Sequence, residues 1–169
     1  HAALMMVERV RQAIDGGAAF EDAVAGVRAH SVFTTHTPVP AGHDNFSFEQ
    51  VESILGPMWD AMDIDSRRFM DLGLADETGP DRFHMTAVAI RLARFVNGVS
   101  AKHGAVTREI WGSMWGEREP DEVPIGSVTN GVHTWTWMSR PVQNLLDDQL
   151  GEWWIHRVEK SDVWDKVLE

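Results

Sequence analysis

The 169 residues contain no cysteine and no tyrosine. Without cysteine there is neither a disulfide framework nor a thiolate metal site, which suits a reducing compartment. Net basic charge is also missing. The formal charge is -11, with 26 acidic and 15 basic side chains, so a basic nucleic-acid face is not expected. A local pocket can still oppose that field and accept an anion. No apolar run approaches the ~20 residues needed to cross a bilayer. No G-x-G-x-x-G, Walker-type loop, H-E-x-x-H or serine-hydrolase elbow occurs. What is present is an ordinary globular mixture, 43% apolar and 24% charged, with eight tryptophans. The chain opens His-Ala-Ala-Leu with no methionine and no signal-type segment. It reads as a piece of a longer polypeptide.

Apolar spacing predicts helices over 2–14 (Leu4, Val7, Val10, Ile14) and 19–29 (Phe20, Val24, Val27), the first ending at Gly16-Gly17. Ser31–Thr35 is short and β-branched, a buried strand. A proline-rich loop follows. Ser47 and Gln50 form a capping box for a helix over 47–62, with Val51, Ile54, Leu55, Met58 and Met62 on its apolar face. The acidic stretch 63–82 reads as a short helix and an exposed loop. Residues 83–94 read as a buried helix, apolar nearly all round. A strand at 95–101 with a tight turn, a helix over 104–115 and a short strand within 123–132 come next. Helices with acidic faces cover 141–150 and 152–168. Helices alternating with short strands, without hairpin spacing, predict an α/β layer that is helix-rich with a few short parallel strands. About three strands is few for a complete sheet.

Three predicted strand ends are alike in carrying small polar groups. They are His36-Thr37, Asn97-Gly98 with His103 nearby, and Thr129-Asn130-Gly131 with His133. Ligands of open parallel sheets bind beyond the carboxyl ends of the strands. Hydroxyls, amides and neutral imidazoles both donate and accept hydrogen bonds, which suits a neutral polyol such as a sugar. Each feature also has a plain structural reading. His36 is equally readable as a satisfied buried histidine. Both Asn-Gly pairs read as turns with positive φ. His43-Asp44 reads as loop structure more than as a catalytic pair, and a metal held by His36, His43 and Asp44 is a minor alternative.

Three long motifs then resemble one family. They are F-T-T-H-T-P-V-P-A-G-H-D-x-F from Phe33, M-T-x-x-A-x-R-L-A-R-x-V-N-G-V-S-x-x-H-G-x-V-T-R-E-x-W from Met85, and V-P-I-G-S-V-T-N-G-V-H-x-x-T-W from Val123. In this order they are similar to the alpha-glucan (glycogen, maltodextrin) phosphorylases, in the bacterial branch of that family. The resemblance runs from the first residue to about 140 and less sharply to 169. It implies reversible phosphorolysis: inorganic phosphate attacks the terminal α-1,4-linked glucose and releases glucose 1-phosphate. It also implies a glycosyltransferase of the B type, with two Rossmann-like domains, working in the cytoplasm. Residues 1–169 would be the later part of the N-terminal domain. The pyridoxal phosphate of the family is held by a lysine in the C-terminal domain, which this chain lacks, so the chain alone is expected to be inactive. A homo-oligomer is compatible with the likeness; a nucleic-acid or membrane partner is not implied.

The resemblance assigns His36 to the histidine whose side chain meets the glucosyl 6-hydroxyl and whose carbonyl faces the ring. Thr37 flanks that pocket, Asn130 holds the same hydroxyl, and His1 matches a histidine near the glucose pocket. His36 is thus the catalytic candidate, and His36, Thr37, Asn130 and His1 the substrate-binding set. Asn97-Gly98 and His103 read as scaffold. His84 stands where this branch often has asparagine, and His43-Asp44 replaces the glutamate-centred loop of the animal type. Two other classes stay open: a nucleotide-sugar glucosyltransferase of similar build, and a carbohydrate-binding module that uses Trp111, Trp115, Trp135 and Trp153 as stacking platforms.

Overall fold

The computed structural model describes residues 2–75 and 82–165. Two compact units divide the chain, one ending at Asn130 and the other starting at Gly131.

The first unit opens with helix α1 (Ala3–Asp15), whose Val7 and Val10 are fully buried. Leu4 and Ile14 pack half-buried on either side of them. Helix α2 (Phe20–Ala29) returns on Ala23 and Val27. Strand β1 (Val32–Thr34) follows. Helix α3 (Phe48–Ala61) begins at the expected capping box: the Gln50 amide donates to Ser47 Oγ, and the Ser47 amide to Gln50 Oε1 at 2.9 Å. Its apolar face differs from the sequence reading at one place. Ile54 is 75% exposed, and Trp59 is buried instead. Trp59 stacks beside Phe48 and meets Phe69 edge-on at 5.4 Å. A short helix α4 (Ser66–Asp71) is capped by Asp65. Most of the loop expected after it lies outside the described residues.

Two further elements depart from the sequence reading. Asn45–Ser47 forms β2 and Arg82–His84 forms β3, an antiparallel pair with Phe46 opposite Phe83. The expected helix over 83–94 therefore starts later, as α5 (Met85–Arg91). Three residues per strand leave no periodicity to read, and the partners are far apart in sequence. The burial expected of that helix holds: Met85 to Ile90 are all buried.

Strand β4 (Phe95–Gly98) leads through Ser100 into α6 (Ala101–Trp111), and β5 (Ile125–Ser127) follows a 3₁₀ turn. The Ser100 hydroxyl caps the helix by accepting the His103 amide, so α6 starts before the expected residue 104. The sheet order is β1-β4-β5, parallel throughout, with Thr34 paired to Asn97 and Gly98 to Ser127. The α/β architecture with short parallel strands is as expected. Val96, Ile125, Trp111 and Ile90 form a core on this sheet, and Phe33 packs against both this core and the helical one.

Glycine placement explains the N-G-V-S-x-x-H-G motif. A Cβ on Gly98 would stand 2.8 Å from the Gly104 amide nitrogen, and one on Gly104 would stand 3.0 Å from the Gly126 carbonyl oxygen. The motif lets strand, helix and strand approach backbone to backbone. The expected positive φ at Gly98 and Gly131 is not observed; among the described residues Gly17, Gly116 and Gly151 are the glycines that adopt it.

The second unit holds α7 (Thr134–Trp137), α8 (Arg140–Leu150) and α9 (Ser161–Asp165). The Gln143 amide is buried and donates to the carbonyls of Trp135 and Met138. The single helix expected over 152–168 is instead a 3₁₀ turn (Trp154–Arg157) and α9. Trp154 is buried, with its indole N–H on Asp147 at 2.9 Å, and the Trp164 indole donates to the Val158 carbonyl.

Candidate active-site cleft

Parallel pairing puts the carboxyl ends of β1, β4 and β5 along one edge. Their tips are tied together. The Thr35 amide donates to the Asn97 carbonyl at 3.0 Å. The Val128 and Asn130 amides donate to the Gly98 and Val99 carbonyls at 2.9 and 3.1 Å. Asn97 is absorbed into this scaffold, as expected for the Asn97-Gly98 pair. His103 is too: it is buried on α6 and its Nδ1 accepts the Val99 amide at 3.1 Å.

Beyond β1 lies a cleft of about 460 Å³. His36 and Thr37 line it at the strand tip, His43 and Asp44 from the following loop, and Met85 and Thr86 from the start of α5. Thr35 is buried, and its hydroxyl accepts the Thr37 amide at 3.4 Å. His36 is exposed rather than the buried histidine of the alternative reading. The loop closes tightly: a Cβ on Gly42 would fall 2.5 Å from Thr37 Cγ2. Only glycine fits there while Thr37 keeps its place.

Asn130 is exposed beyond the end of β5, on the same sheet edge as His36 with β4 between the two strands. It does not line the His36 cleft among the described residues. His1 lies outside the described residues; Ala2 and Ala3 line the cleft. The wall from α1 and α5 escaped sequence reasoning, since no motif links Met6, Met85 or Thr86 to residue 36.

His43 is buried, its Nδ1 2.8 Å from Thr86 Oγ1. Burial pushes its pKa below the ordinary imidazole value, and His103 adds to this; the Thr37 carbonyl and Asp44 oppose it. His84 is lowered likewise, first by burial and then by His43 and Arg82. Among the described residues no group of three or more His, Cys, Asp or Glu is arranged to hold a metal. Nor is any helix among them long and apolar enough to cross a membrane. Of the four tryptophans weighed as sugar platforms, Trp111 is buried, Trp115 and Trp135 are half-buried, and Trp153 is 75% exposed. They do not form an exposed stacking set.

No family model matches the chain. Individual relatives do. Over 164 residues it is 37% identical to the maltodextrin phosphorylase of Thermococcus litoralis, an alignment covering 97% of this chain and 19% of that protein. It is 39% identical over 180 residues to the glycogen phosphorylase of Mycobacterium tuberculosis, covering 97% of this chain and 21% of the relative. The glycogen phosphorylase of Aquifex aeolicus is 31% identical over 153 residues, covering 90% and 22%. The chain thus spans about a fifth of the length of the curated relatives it matches. Matched along nearly all of its length to enzymes of one kind, the chain belongs to the glycogen and maltodextrin phosphorylase family.

Proposed function

We propose that this chain supplies the glucosyl-binding side of an alpha-1,4-glucan phosphorylase, a cytoplasmic glycosyltransferase that moves glucose between a glucan end and inorganic phosphate. It would be the later part of an N-terminal, Rossmann-like domain, inactive without the remainder. The observation that carries the reading is the placement of His36 and Thr37 at a parallel strand tip, lining a cleft of about 460 Å³. The names of the relatives supply the substrate class.

In this reading the His36 imidazole and the Asn130 carboxamide hold the 6-hydroxyl of the transferred glucose. Both groups are neutral hydrogen-bonding partners, so they orient the ring without adding a fixed charge. The His36 carbonyl faces the ring, where positive charge develops as the glycosidic bond breaks. His1, just before the Ala2 and Ala3 that line the cleft, completes the set.

Pyridoxal phosphate is the cofactor that the family implies. Among the described residues, Lys102 and Lys160 are exposed. Its lysine would come from the rest of the polypeptide. Partners would be the glucan, inorganic phosphate or glucose 1-phosphate, the C-terminal domain and a second copy in a homo-oligomer.

The test uses the full-length enzyme that contains this chain. His36→Ala should lower turnover about a hundredfold, the scale of a lost transition-state contact, with KM for phosphate nearly unchanged. Unchanged turnover ends the assignment of His36. Activity with a nucleotide sugar, and none with phosphate plus maltodextrin, would replace phosphorolysis with a nucleotide-sugar glucosyltransferase.

A further inference from the structure

Behind the cleft, the loop bearing His36 and Thr37 is fastened to the helices by a cluster of rings. His43 leaves the 3₁₀ turn Pro40–Gly42 and is only 7% exposed. Its Nδ1 meets Thr86 Oγ1 on α5. Its ring meets Trp111, the last residue of α6, edge to face at 5.0 Å with planes 89° apart. His84, the residue before α5, meets the same indole at 5.4 Å and 80°. The loop, the start of α5 and the end of α6 therefore converge on one tryptophan. Four nitrogens of this region are buried without a hydrogen-bond partner: His43 Nε2, His84 Nδ1, His103 Nε2 and Trp111 Nε1.

That arrangement tolerates a neutral His43 far better than a charged one. Bonding at Nδ1 leaves a neutral ring with one unpaired nitrogen. Protonation would add a charge beside that unpaired site, in a setting that screens poorly. The groups facing it are mixed. Asp44 and the Thr37 carbonyl favour the charge from the loop, while His103 on α6 opposes it. His84 at the start of α5 is electrostatically coupled to His43 and faces Arg82 of β3. Any shift of His43 reaches Thr37, because Gly42 between them is packed against the Thr37 methyl group.

We propose that His43 is a positioning residue for the sugar-binding loop: as a neutral imidazole it joins Thr86 on α5 to Trp111 on α6, and so holds His36 and Thr37 at the cleft. This role rests on the reading of the cleft as a glucosyl site, yet the fastening itself is measurable without any sugar.

The experiment is hydrogen exchange of residues 36–44 in the full-length polypeptide, corrected for intrinsic pH dependence, at about pH 7.5 and about pH 5.5, either side of the ordinary imidazole pKa. Wild type should be protected at the higher pH and exchange about tenfold faster at the lower. Thr86→Val should exchange fast at both. His43→Asn keeps a hydrogen-bonding group near Thr86 that does not titrate, so it should retain protection and lose the pH step. In maltodextrin kinetics the acid fall of kcat should shrink in His43→Asn, with KM for phosphate unchanged. Wild-type protection in Thr86→Val, or a pH step that persists in His43→Asn, overturns the role. Should a variant fail to fold, the absence of a pH step in the wild-type loop does the same. Insensitivity of turnover to His36→Ala, with loop protection still following His43, sinks the glucosyl reading and supports the fastening.

Discussion

The Thr34 hydroxyl donates to the Asn97 carboxamide oxygen at 3.1 Å, across paired positions of β1 and β4. This bond and the Thr35 amide on the Asn97 carbonyl tie the two strand tips together two residues before His36. Asn97→Ala removes the side-chain half. It should lower stability by about 1 kcal/mol, a typical net hydrogen bond, as read from the urea midpoint. An unchanged midpoint would mean that water replaces the bond at no cost.

The glycines of the second motif are sorted by what their missing Cβ would meet. Gly98→Ala drives a methyl to 2.8 Å from a backbone nitrogen that cannot move aside. It should cost about 1–3 kcal/mol, the scale of overpacking. Gly26, inside α2, has open space around it. There Gly26→Ala should stabilise by about 0.5–1 kcal/mol through helix propensity. Thermal melts of the two variants should move in opposite directions.

The adjacent tryptophans of the second unit should behave oppositely. Trp154 is 2% exposed and bonded to Asp147, while Trp153 is 75% exposed. Trp154→Ala should cost about 3–5 kcal/mol. Trp153→Ala should stay within about 0.5 kcal/mol, as for other exposed positions. Denaturant curves followed by near-ultraviolet circular dichroism would show whether the order is reversed.

Acid should weaken the fold before the carboxylates titrate. His43 and His84 are both held below the ordinary imidazole value of 6.5 by burial. The unfolded chain therefore binds protons at a higher pH than the folded one. Stability from these groups is complete above about 6.5 and declines as pH falls through their lowered values. Glu8, held at about 2 by Arg11 and Gln12, acts in a separate and more acidic range. Urea midpoints measured from neutral pH down to about 5 should fall in wild type and flatten in His43→Asn. A flat wild-type profile would contradict the burial argument.

Legibility in the sequence followed the length and regularity of each element. Val7 with Val10, and the Ser47–Gln50 box, are local patterns, and the helices they imply are present. The pair β2–β3 is not local: Asn45 meets His84 across the intervening helices α3 and α4. The burial of Trp59 could not be read from spacing, because it depends on Phe48 and Phe69 as neighbours. The chemistry-bearing residues were visible as motifs at strand ends, but their surroundings were not. His36 and Asn130 follow strands of one sheet with β4 between them, while the walls contributed by α1 and α5 came from elements with no motif of their own.

By itself, the order of residues determined the α/β class, the buried faces of α1 and α2, the strand tips and the kinship with phosphorylases, because these rest on short-range periodicity and contiguous motifs. Tertiary structure alone decided that His43 and His84 would be buried around Trp111, and that Gly98 and Gly104 would serve close backbone approach rather than a turn. The physical reason is that burial and contact depend on which distant segments fill the space around a group, and no local pattern encodes that.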